Sequence, residues 1–223
     1  NENARAMEST TIPVTAENFA QAETAFNYAR WCKLGADKGI FHYREVAPTG
    51  AQAPTVRMNW DTLYSARIVR VAEEKSVTVF LPEEELYMSA HVVDENGFAP
   101  HYIIEQGDHK LKVDTEYAWI LFRTEILDRR SEELLRKAHA AQDKIKVTGM
   151  MEDSTYTMPN YDQEQLGKLR REYKAEWLKA GGNCTYARGP GRVDQHSLNL
   201  SHAAGWVGWY GARAARIQRL LHQ

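Results

Sequence analysis

No run of about 18 apolar residues occurs in this 223-residue chain, so no segment reads as a membrane-spanning helix. Cysteine is nearly absent. Cys32 and Cys184 are too few for a disulfide scaffold and too far apart in sequence for a zinc knuckle. A bridge between them would need an oxidising compartment. An excess of one charge is also missing. The formal net charge is −2, which excludes nucleic acid or anionic lipid as partners recognised through bulk electrostatics. The nearest thing to a patch is the tail. Residues 187–223 carry +4, through Arg188, Arg192, Arg213, Arg216 and Arg219 against Asp194, and leave −6 for the rest. We read it first as a solvated helix face. The sequence also lacks an HExxH pair, a GxSxG elbow, a P-loop and a dinucleotide fingerprint. Its eight histidines are scattered, so no metal and no particular cofactor is implied. Cys184 has no base near it in sequence to make it a nucleophile.

What is present is ordinary core material, with 43% hydrophobic residues, enough for one large domain. Thr15, as an N-cap with Glu17 in the first turn, opens a predicted helix. Phe19, Ala22, Phe26, Ala29 and Cys32 mark its apolar stripe, and Gly35 and Gly39 end it. Residues 47–54 read as a Pro/Gly/Ala loop. From Val56 to Thr124 the period changes to strands, seen at Val77–Leu81, Leu86–Val93 and Tyr117–Thr124. Asn96-Gly97 and Gly107-Asp108 are turn signals between them. Helices return at 131–146, capped by Ser131 or Asp128, and after Asp162, which forms a capping box with Gln165 and precedes a stop at Gly181-Gly182. A Gly-rich loop over 181–200 then leads to a helix over 202–222, with Gly205, Gly208 and Gly211 spaced for close packing. The expected fold class is α+β, a small antiparallel sheet or sandwich flanked by an N-terminal helix and C-terminal helices. The expected layout is a lead-in over 1–13, a β-rich domain over 14–147 and a helical extension over 148–223.

The densest polar cluster is Arg57-Met58-Asn59-Trp60-Asp61-Thr62-Leu63-Tyr64-Ser65. In an extended chain Arg57, Asn59 and Asp61 share one side, while Met58 and Trp60 take the other. Arg57 can hold a substrate carboxylate with Asp61 as acid or base, Tyr64 as a phenolic donor and His91 assisting. Asn59, Trp60 and Ser65 would complete the binding surface. The competing reading is architectural: an Arg–Asp pair with an Asn cap that ties a loop to a sheet.

This stretch resembles the bacterial family catalogued as domain of unknown function 1254, whose members carry an Arg-x-Asn-x-Asp-Thr-Leu-Tyr-Ser core. It is matched here by Arg57, Asn59, Asp61, Thr62, Leu63, Tyr64 and Ser65. The stretches Val14–Phe19, Leu86–Ser89, His139–Asp143 and Ala204–Trp206 fit as well. The resemblance covers residues 14–147 well and the remainder thinly. It implies a β-rich domain with flanking helices, continuing into a second β-rich domain catalogued as domain of unknown function 1214. It also implies export. Together with an opening residue, Asn1, that is not Met, this favours a periplasmic or secreted location over the cytoplasm. The family itself has no settled chemistry.

Three functions therefore stay open. One is an enzyme acting on a small polar or carboxylate-bearing molecule through the Arg/Asn/Asp/Tyr cluster. Another is a non-catalytic binding module for a small molecule or glycan, with Trp60, Trp119, Tyr64 and Tyr87 as a stacking surface. The third is an assembly module whose basic, Gly-spaced tail docks a second β-rich domain or a second subunit.

Overall fold

The structure is a computed structural model that describes residues 10–46, 61–182 and 187–205. In chain order its elements are α1 (Phe19–Cys32), β1 (Phe41–His42), β2 (Thr62–Arg70), β3 (Ser76–Leu81), β4 (Met88–Asp94) and β5 (His101–Ile103). They continue as β6 (Gly107–Lys112), β7 (Tyr117–Glu125), α2 (Glu132–Asp143), β8 (Lys146–Thr148), α3 (Gln163–Lys179) and α4 (Gln195–Ala203). The fold class is α+β, as the change of sequence period predicts. Among the described residues no helix is long and apolar enough to cross a membrane.

Two antiparallel sheets form, in the orders β1-β2-β7-β4-β5 and β6-β3-β8. Period-two alternation explains how they meet. Val69, Ala90, Val92, Ile120 and Phe122 leave one face of the large sheet and pack on Val77, Val79, Leu81, Leu111 and Val147 of the small one. The opposite face of the large sheet carries Ala66, Ile68, Val93, Trp119 and Leu121, and α1 covers it with Tyr28 and Trp31. Rings interlock there, Trp31 with Trp119 at 5.9 Å and Tyr28 with Trp119 at 6.2 Å between centroids. Burying side chains of this size contributes about 1.5–3 kcal/mol each.

The predicted stripe of α1 is only one of its two buried sides. Phe19, Ala22 and Phe26 face α3 and α4, while Tyr28 and Trp31 face the sheet. Glu23, also buried, receives Arg170 of α3 in a bidentate pair at 2.7–3.0 Å, and that guanidinium lies 4.5 Å from the Phe26 ring centroid. Burial raises the Glu23 carboxyl and Arg170 opposes the rise.

Caps account for the helix ends. Thr15 is not the cap of α1. The helix starts at Phe19 behind Asn18, whose side-chain oxygen accepts from Thr15 N at 2.8 Å. Ser131 caps α2, accepting from Leu134 N. Asp162 caps α3, accepting from Glu164 N and Gln165 N at 3.0 Å each. The reciprocal half of that capping box is absent, because Gln165 instead accepts from Val14 N at 2.9 Å and ties the N-terminal strand segment to α3. Asp162→Ala strips two donors of their acceptor, and we expect it to lower stability by about 1 kcal/mol in a thermal melt. The last helix also differs from expectation. α4 begins at Gln195 behind the Asp194 cap, inside the stretch read as loop, and ends ahead of Gly205 at φ +84°. The remainder of the predicted 202–222 helix, with Gly208, Gly211 and the arginines beyond, lies outside the described residues.

Candidate functional site

Strand β7 runs down the middle of the large sheet, with β2 on one side and β4 on the other. Its register sets Arg123 opposite Tyr64 of β2 and opposite Ser89 of β4. One row further along, Leu121 lies opposite His91, which in turn faces Tyr102 of β5. Residues directly opposite in antiparallel strands share a face. Tyr64, Arg123, Ser89, His91 and Tyr102 therefore gather on the face that α1 covers at its other end.

The inner part of the cluster is closed to solvent, while Tyr87 and Tyr102 are half-buried. Tyr64, Ser89, His91 and Arg123 are 0%, 1%, 2% and 3% exposed. The Arg123 guanidinium carbon sits 5.7 Å from the Tyr64 ring centroid, within cation–π range. The His91 ring lies 4.5 Å from that of Tyr102, whose hydroxyl bonds the Tyr87 hydroxyl. Burial, helped by the charge of Arg123, holds His91 well below its ordinary value, so its imidazole is neutral. Burial and the Tyr102 hydroxyl push the Tyr87 phenol up, so it keeps its proton as a donor. Glu125 accepts from Tyr87 N at 3.1 Å and closes the end of the group.

The predicted site residues divide accordingly. Tyr64 and His91 come together on this face. Asp61 stands exposed just ahead of β2, its carbonyl accepting from Ile126 N at 3.0 Å. Arg57, Asn59 and Trp60 lie outside the described residues. Ser65 points through the sheet to the other side, since neighbours in a strand alternate. There its hydroxyl meets His42 Nδ1 at 2.6 Å and accepts from Gln142 Nε2 at 3.2 Å. Burial first, and Arg44 second, lower His42 to about 4. The pair has the make-up of a nucleophile and its base, yet Ser65 is fully buried and Gln142 also donates to the Tyr43 carbonyl at 2.9 Å. These bonds fasten α2 to β1 and β2.

Other candidates also take structural places. Trp119 is enclosed by Tyr28 and Trp31 in the core and offers no open stacking face. The Cys32 thiol is free and burial pushes it up to about 12, which keeps it protonated and unreactive. Cys184 lies outside the described residues. Among the described residues no group of three His, Cys, Asp or Glu side chains is placed to hold a metal.

The motif reading missed Arg123 and Tyr102. A signal for the first does exist, since Arg123 directly follows the apolar run Ala118–Phe122 and still belongs to the same strand. A buried guanidinium in a central strand is costly unless something compensates it. Arg67 of β2 illustrates the structural solution, with Nη1 donating to the carbonyls of Ala36 and Ile68 at 2.9 and 2.8 Å.

No family model matches the chain. No curated protein matches it either. Among solved structures, the VPA0106 protein from Vibrio parahaemolyticus is similar at a TM-score of 0.39 and 14% identity, over 85% of this chain and 58% of that one. The chain thus spans 58% of the length of that neighbour.

Proposed function

We propose that the protein binds a small carboxylate-bearing molecule at the Arg123 cluster. In this reading Arg123 takes the anion, and Tyr64, Tyr87 and Tyr102 donate or accept around it. The observation that carries the reading is the guanidinium itself, buried on the central strand beside three phenols and a neutral imidazole. A planar fork of donors suits a carboxylate, and exclusion of water strengthens each contact. The neutral His91 serves as a hydrogen-bond partner rather than a charge, and Asp61, exposed ahead of β2, takes no part in this binding. A closed cluster must open before a ligand enters, so association slower than at an open cleft is expected. We further infer that the Arg57–Ser65 stretch reflects kinship with the family it resembles.

Calorimetric titration of small mono- and dicarboxylates, with their amides as controls, tests the proposal. The expected result is saturable binding of a carboxylate but not of its amide, weakened roughly tenfold to a hundredfold in Arg123→Leu. The same variant should keep or raise its melting temperature, because replacing a buried charge by a hydrophobe is often neutral or stabilising. Collapse of the fold in Arg123→Leu, with no carboxylate bound by the wild type, would make the cluster architectural.

A further inference from the structure

At the far end of the same sheet face a second feature stands apart from the Arg123 cluster and does not depend on it. A cavity of about 330 Å³ opens between α1, the turn after β4, the turn before β7 and the Tyr156–Tyr161 segment. That volume is at the lower end of the range for small-molecule sites. Among its described lining residues the charged ones are Glu95 and Glu116, both acidic. Tyr28, Tyr156 and Tyr161 supply aromatic wall, with Tyr28 and Tyr156 rings 5.3 Å apart.

From this pairing of carboxylate and aromatic surface we infer that the cavity is a binding site for a small organic ammonium ion. Carboxylates attract the charge, and tyrosine faces favour it through their quadrupoles. Glu95 is held ready. Its Oε2 accepts from Tyr117 N at 2.9 Å, the Glu116 backbone also donates to the carboxylate, and its own N donates to Thr115 Oγ1 at 3.3 Å. Burial raises the Glu95 carboxyl, so a docked cation relieves a cost already present. Glu116 contributes less, because Arg70 pairs with it at 2.9 Å on the surface. Lys75 also acts on Glu95 and partly offsets its charge, so the tyrosine wall shares in holding the cation. Across Pro159 and Tyr161 lies a neighbouring hollow of about 380 Å³ with Arg30 and Lys33 in its wall. Its sign repels a cation and confines the preference to the first cavity.

The probes are butylammonium and butanol, which share a chain and differ in the charge. In calorimetric titration of the full chain, butylammonium is expected to bind saturably while butanol does not. Glu95→Gln, which keeps an acceptor for Tyr117 N, should weaken butylammonium by at least roughly tenfold. Tyr156→Leu should weaken it by a few-fold. Equal binding of butylammonium and butanol by the wild type overturns the inference without any variant, and so does an unchanged affinity in a folded Glu95→Gln.

Discussion

Gly97→Ala is expected to lower stability by about 2–4 kcal/mol, read as a fall in urea midpoint with an unchanged slope. Gly97 adopts φ +81°, where a side chain is strained. A Cβ there would also come within 2.6 Å of His202 Cε1 and Nε2 and 3.0 Å of Thr24 Oγ1. His202 cannot easily give way, because α4 holds it fully buried and its Nε2 donates to the Gly97 carbonyl at 2.9 Å. Backbone strain and overpacking each contribute about 1–3 kcal/mol. Gly107→Ala separates the two, since Gly107 has φ +101° but nothing within 4 Å of an added Cβ. It should show the backbone part alone. In the Gly97→Ala background, His202→Ala should recover part of the loss. Purely additive losses would mean the turn and α4 are not coupled there.

The same histidine governs the second large effect. His202 is buried and lowered by burial to about 4, with the Gly97 carbonyl opposing the shift. Protonation would place a hydrogen on Nδ1, which has no hydrogen-bond partner among the described residues. The folded pKa lies below the ordinary 6.5, so the unfolded chain binds more protons between these values. The contribution of His202 is complete above about pH 6.5 and is lost as pH falls toward 4, to the extent of about 3 kcal/mol. His91 and His42 act in the same direction. Asp94, raised by burial to about 6, acts in the opposite one and regains stability as pH falls through 6. A comparison at one site avoids this overlap. His202→Gln should be clearly less stable than the wild type at pH 7, and the gap should shrink or reverse by pH 4.5. A gap that stays constant across that range would show that His202 does not titrate in the window.

Local features were the legible ones. Ser131 and Asp162 cap helices because their side chains reach donors two or three residues away. Asn96-Gly97 turns because Gly97 tolerates a positive φ and the Asp94 carboxylate accepts from Asn96 N and Phe98 N at 3.0 and 2.9 Å. What escaped depended on partners distant in sequence. Phe19, Ala22 and Phe26 of the predicted stripe mark the side of α1 that meets α3 and α4, whereas Cys32 already turns to the sheet side, which is visible only once β7 brings Trp119 beneath Trp31. The start of α4 was hidden because its cap, Asp194, follows Gly189-Pro190-Gly191.

The candidate site was half legible for the same reason. A polar run such as Arg57–Ser65 reads as one surface, but the pleat sends Tyr64 and Ser65 to opposite sides of the sheet. Tyr64 then finds its neighbours on β7 and β4, more than twenty residues away in sequence. Arg123 follows from register rather than motif, and only its charge at the end of the apolar run Ala118–Phe122 marks it beforehand.

The most direct test of the account is to follow the Arg123 Nε–H and the His91 ring nitrogens by NMR while a dicarboxylate such as succinate is added. Anion binding at the cluster predicts saturable shifts of both signals in the wild type and no matching His91 shift in Arg123→Leu. Signals that stay still while the ligand perturbs residues elsewhere, or a His91 shift that persists in Arg123→Leu, would contradict it.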